Sequence, residues 1–157
     1  MEARVAHVEL SLSEAYVPHA STTIEPEYGG SVALWTPTVA AAAEPCLLID
    51  AQMLIVAVSE ECCRLLRLGT PDDATGRSLT DGVLRLVDFT QARSELTEAE
   101  IEKIPPRLAL KSGRLARGLL RIVAEGGTDE VVTVDAIASP LLDGGSVAGS
   151  LTFFCEV

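Results

Sequence analysis

Histidine is nearly absent from this chain: His7 and His19 are the only two, both near the start. A Ser-His-Asp hydrolase therefore lacks its base over the rest of the sequence, and a zinc site would need ligands gathered from distant segments, so no metal centre is expected. Basic residues are also few, 12 against 23 acidic. The resulting net charge of −11 argues against nucleic acid or an anionic membrane surface as partner, because the phosphate-neutralising attraction becomes repulsion. No apolar run approaches the roughly 18–20 residues that cross a bilayer. The first residues, MEARVAHVELSLSE, place acids where a secretory signal carries positive charge, so a cytoplasmic protein is expected. Four cysteines in that setting do not make a disulfide framework, and Cys62-Cys63 are adjacent rather than spaced as metal ligands.

What is present is enough apolar material for a core. At 157 residues and 48% hydrophobic, the chain reads as one domain with an extension and is too apolar to be disordered. The extension is residues 1–44, expected to dock on the domain or on a second copy. Its first part fits two patterns, a helical stripe (Val5, Val8, Leu12, Ala15) and a strand alternation (Val8, Leu10, Leu12). Pro18, Pro26, Gly29-Gly30 and Pro37 then interrupt any long helix, with Val32, Leu34 and Trp35 as apolar anchors and Thr38–Glu44 as a short helix before Pro45.

The domain, residues 45–157, opens with CLLIDAQMLIVAVSEECCRLLRL, which is Cys46–Leu68. Two short apolar strands flank the Asp50-Ala51-Gln52 turn, and Ser59 stands at the N-cap of a helix whose first turn holds Glu60 and Glu61. Pro71 suits the first position of a very short helix ended by Gly76, and Ser78 or Thr80 would cap another through Leu86. Phe89–Ser94 is polar and expected to be irregular. Thr97 with Glu100 three residues later forms a capping-box signature, and a second short helix over Arg107–Lys111 follows Pro105-Pro106. Gly118–Val123, Glu130–Ala138 and Ser146–Cys155 are strands, separated by Gly-rich turns and by Ser139-Pro140, which implies an antiparallel meander. The order β-β-α-α-α-β-β-β is an α+β arrangement.

On these residues the chain resembles a PAS domain: LLIDAQMLIVAVSEECCRLL, then GRSL at Gly76–Leu79, then VDAIASPLLDGGSVAGSLTFF at Val134–Phe154. Two positions depart from the pattern, Met53 where such hairpins usually carry Gly and Ser59 where they carry Asn. The resemblance implies a five-stranded antiparallel sheet in the order 2-1-5-4-3, with short helices on one face. It also brings Cys46 near Cys155, expected as two buried apolar thiols rather than a redox pair.

PAS-like domains often hold haem or flavin, and the residues for either are missing. Residues 45–157 contain no axial His for haem. Leu79 stands where the photoactive flavin branch has its reactive Cys. No cofactor is therefore expected. An acid/base pair of Asp50 and Asp135 across the sheet is weighed against ordinary structural carboxylates, and the latter is preferred. Ile49, Leu86, Ile101, Leu108, Leu119 and Ile137, with Leu110, are candidates for an apolar pocket between sheet and helices, though core packing explains them equally.

The five cations Arg107, Lys111, Arg114, Arg117 and Arg121 read as a solvated surface, with docking of an acidic segment as the sharper alternative. Apolar residues of both parities in the last strands mean that both sheet faces need cover. A homodimer through the outer face, with residues 1–44 contributing, follows. The functional expectation is a non-catalytic sensory or adaptor module in bacterial signalling or transcriptional regulation, acting on an unidentified signalling protein. The alternatives are a cone-shaped isomerase or cyclase and a structural subunit of a larger assembly.

Overall fold

The structure is a computed structural model and describes residues 30–80, 84, 86–87, 96–123 and 130–157. A single antiparallel sheet runs through it. Its strands are β1 (Cys46–Asp50), β2 (Ile55–Val58), β3 (Leu86–Val87), β4 (Ala116–Val123), β5 (Val131–Asp143) and β6 (Ser146–Glu156). They stand in the order β2-β1-β6-β5-β4-β3. The five expected strands thus occur in the expected order, and a two-residue strand is added at the edge. That strand takes Leu86 out of the helix expected there, pairing it with Ile122. A helical turn does start after Ser78, at Leu79–Thr80, in π form with the Leu84 amide donating to the Leu79 carbonyl at 3.2 Å, while Ser78 itself bridges to Leu54.

Ser139-Pro140 does not turn the chain. β5 continues through it to Asp143, with Pro140 opposite Ser150, and the irregularity falls one residue later between Leu141 and Leu142. Proline lacks an amide hydrogen, and its place here lies next to that break in the ladder.

Helices α2 (Glu60–Leu66), α3 (Pro71–Ala74), α4 (Glu98–Ile101) and α5 (Pro105–Ser112) follow their sequence signals closely. Ser59 caps α2 by accepting from the Cys62 amide at 3.1 Å. Thr70 and Asp73 form a capping box on α3, and Thr97 and Glu100 another on α4. In α5 the two prolines occupy the first helical positions, where the missing amide hydrogens have no partner to lose, and Gly113 ends the helix at φ 64°. The Phe89–Ser94 stretch lies outside the described residues.

The main core joins Leu47, Ile49, Ile55, Val58, Leu79, Leu120, Ile122, Val134 and Phe154 to α2 and α3. Beside it α5 lies on β4, β5 and β6, with an alanine cluster at the contact: Ala109 against Ala116 and Ala138. Small side chains let helix and sheet backbones approach closely.

The opposite face is half covered. Helix α1 (Ser31–Ala40) packs on β1, β2, β5 and β6, placing Val39 and Val32 over Cys46, Leu48, Ala57, Leu141 and Leu151. It starts earlier than the expected Thr38–Glu44 helix and runs through Pro37. Docking energy on the sheet outweighs the cost of that proline. With Gly30 at its N-cap, the helix has no side-chain cap of its own. The Ser31 amide instead donates to the Asp143 carboxylate at 2.6 Å, from the far end of β5. Gly149 lies under α1, where an added Cβ would strike the Ile49 carbonyl oxygen and Val32, so only glycine allows this approach.

Candidate functional site

The six residues expected to line one pocket do not converge. Ile49 is in the main core. Ile101 is half-buried beside α5, and Leu108 is 39% exposed on α5. Leu119 and Ile137 lie on the other side of the sheet, 52% and 36% exposed. Strand parity is the reason: Leu120 and Ala136 face the helices, so Leu119 and Ile137 must face away. Leu86 is placed in β3, while its side chain lies outside the described residues.

Two other features stand out, one on each side of the sheet. On the helix side, a cavity of about 400 Å³ is lined by Ala51 and Met53 from the β1–β2 turn and by Glu102, Arg107, Leu110 and Lys111. Arg107, Leu110 and Lys111 share one stripe of α5 by their spacing of three and four. Glu102, just past α4, divides its carboxylate between the two cations: one oxygen pairs with Arg107 and the other accepts from Lys111 at 3.3 Å. Arg107 in particular holds the Glu102 carboxyl below the usual range. A second cavity, about 440 Å³, lies on the other side of this ion pair, against Thr80, Glu98 and Ile101.

Met53 is the unusual element of the site. It has φ 67°, the left-handed region that the family pattern fills with glycine, yet its side chain is buried in the core. A left-handed non-glycine residue costs roughly 1–2 kcal/mol. The backbone holds it there: its amide donates to Asp50 O at 3.1 Å and its carbonyl accepts from the Leu79 amide at 2.9 Å. Asp50 Oδ1 accepts the Gln52 and Leu54 amides at 2.9 and 3.0 Å, closing the turn.

Asp50 and Asp135, weighed as an acid/base pair and set aside in favour of structural carboxylates, are far apart in the sheet. Asp50 lies opposite Gly149, and Asp135 lies opposite Cys155 toward the other end of β6, so the two do not meet. Asp135 is engaged instead by Arg117, whose guanidinium lowers the carboxyl's pKa. Leu79, at the place of the flavin-reactive Cys, is fully buried in the core.

On the other face, beyond the reach of α1, no described residue covers Leu119, Ile137 and Phe153, Phe153 being 45% exposed. Ile137 pairs directly with Phe153, and Phe153 with Cys46 of β1. Arg117 and Asp135 lie on the same face between them. Cys155 is here too, two positions from Phe153, and is exposed, not buried as expected, because α1 stops short of this half. Cys46 and Cys155 do share a face, both as free thiols, and burial raises the Cys46 pKa.

Sequence reasoning missed the charged cavity. Its signal was available in the Arg107, Leu110, Lys111 spacing, but nothing in the sequence placed Glu102 or Met53 opposite it.

No family model matches the sequence, and no curated protein does. Solved structures do match. The chain is similar to the PAS domain of a Colwellia psychrerythraea protein at 11% identity and TM-score 0.56, covering 77% of this chain and 92% of that one. It is similar to a LOV protein of Rhodobacter sphaeroides at 21% identity and TM-score 0.56, covering 77% and 64%. It is also similar to the VqmA dimer of Vibrio cholerae, a LuxR-type receptor, at 16% identity and TM-score 0.54 over 73% of this chain. The chain spans about half the length of VqmA, 46% of it. With sheet order, helix placement and these likenesses in agreement, the chain has the fold of a PAS domain.

Proposed function

We propose that this protein is a non-catalytic PAS-like sensory or adaptor module, working as a homodimer in bacterial signalling or transcriptional regulation. The observation that carries the reading is the inverted outer face. Alanines pack under α5 on the covered side, whereas Leu119, Ile137 and Phe153 are left open on the other. Ile137 and Phe153, in register on neighbouring strands, with Leu119 on the next strand, form a surface suited to a second copy. The extension, residues 1–44, contributes through α1, which already covers the adjoining half.

The likeness to VqmA supports the reading, since that receptor is described as a dimer and in a form bound to DPO. Its target DNA is not carried over. The net charge of −11 favours a protein partner for this chain over a nucleic acid. No helix among the described residues is long and apolar enough to cross a membrane. Light scattering of the full chain at micromolar concentration tests the proposal: a dimer mass is expected, and a monomer overturns the dimeric part.

A further inference from the structure

The cavity between the β1–β2 turn and α5 contains a carboxylate already. Two cations, Arg107 and Lys111, face it, and the single carboxylate of Glu102 gives one oxygen to each. The rest of the lining is apolar: Ala51, Met53 and Leu110. In a chain of net charge −11, this cavity carries two positive charges against one negative.

From this arrangement we infer that the cavity is a binding site for a small amphipathic organic carboxylate. Its carboxylate takes the place of Glu102 between Arg107 and Lys111, and its hydrocarbon lies along Leu110 and Met53. Glu102 acts as a built-in occupant and shows the geometry of recognition, one oxygen to the guanidinium and one to the ammonium. Arg is suited to a planar carboxylate, and Lys111 supplies the second charge.

The exchange is inexpensive. All three side chains are at least one-third exposed, and ion pairs so open to solvent contribute little to stability. A displaced Glu102 turns out to water, so a ligand gains its apolar contacts without leaving a buried charge. The site itself is held in place. Glu102 stands two residues before the buried Ile104 at the N-cap position of α5, and two prolines open that helix. Met53 is fixed in the backbone by the Asp50 and Leu79 bonds, while its flexible thioether can adjust to a chain of carbon atoms. The second cavity, with Glu98 and Glu102 against a single Arg107, has the opposite charge balance and is not the anion site.

The inference adds a ligand to the sensory reading and is measured separately from the dimer. Calorimetric titration of the full chain with octanoate, octanamide and butyrate tests it. Glu102→Gln removes the competing charge, so that variant is expected to bind octanoate saturably and at least about threefold more tightly than wild type. Octanamide should bind it at least about tenfold more weakly, having lost the charge, and butyrate should bind more weakly for want of hydrocarbon. Adding Arg107→Gln should abolish octanoate binding. If Glu102→Gln fails to fold by circular dichroism, Lys111→Gln, an exposed position, serves instead and should weaken octanoate binding relative to wild type. No saturable octanoate binding by Glu102→Gln, equal binding of octanamide, or no gain over wild type would each overturn the assignment.

Discussion

Ser59 holds the start of Cys46's strand. Its Oγ accepts the Cys46 amide at 3.0 Å and the Cys62 amide at 3.1 Å, and its hydroxyl donates to Glu44 O at 2.8 Å. One fully buried side chain therefore joins the end of the extension, the first strand and the first helix. Ser59→Ala leaves two buried amides and a carbonyl without that partner, and should destabilise the fold by about 2–3 kcal/mol. Urea unfolding followed by circular dichroism measures this. A loss within 0.5 kcal/mol, as an ordinary surface change gives (roughly ±0.5), would show that the junction is held by other contacts.

Thr152 is the reverse case. Its hydroxyl is buried on β6 with no hydrogen-bond partner among the described residues. Thr152→Val replaces that oxygen with a methyl group of similar shape. Stability should rise by about 1 kcal/mol as the desolvation cost disappears. An unfolding midpoint that falls would mean the hydroxyl has a partner in solution.

Stability should form a plateau between about pH 5 and pH 8.5. On the acid side, Arg117 lowers the pKa of Asp135, Arg107 that of Glu102, and the Thr70 backbone that of Asp73. Each folded value lies below its unfolded one. Their contribution is complete above the ordinary carboxylate range and is lost as pH falls through the lowered values. On the alkaline side, burial raises the thiols of Cys46, Cys62 and Cys63. That contribution is complete below the ordinary thiol pKa and is lost as pH rises toward the raised values. Urea midpoints across pH 3–10 map both limbs, about pH 3 to 10 being the span in which they separate. Cys62→Ala should flatten the alkaline one.

The dimer surface yields a mutational prediction of its own. Phe153→Glu and Leu119→Glu place charge on half-exposed positions, so the monomer's fold should change in stability by no more than about 0.5 kcal/mol. Both should give a monomer mass in light scattering, with an unchanged circular dichroism spectrum. Persistence of a dimer in both variants would locate the interface elsewhere.

Local signals explain why so much of the fold was legible. The Ser59 cap on Cys62, the Thr70 and Thr97 capping boxes, and Gly113 each act within four residues of chain. The meander was readable because its strands are β-branched and its turns rich in glycine. Helix α1 was not, since it contains Pro37 and takes its cap from Asp143, so its stability comes from a surface distant in sequence. The pocket list erred in treating apolar character as inwardness. Leu119 and Ile137 are large and face out, while the alanines at 116, 136 and 138 face in. Periodicity fixes which residues share a face, but the packing of α5 decides which face is covered.

The cap on α1 spans 112 residues of sequence, from Ser31 to Asp143 in the last hairpin. Cover over Leu48 and Leu151 is thus tied to the carboxylate of a turn between the two longest strands. That contact sits at the Gly149 end of β6, whereas the Phe153 patch lies at the Cys46 end, so the carboxylate fixes the start of the cover and not its border with the patch. The covered half of the sheet's outer face is thus assembled from the first described helix and the last hairpin, so a substitution at Asp143 is felt at Ser31.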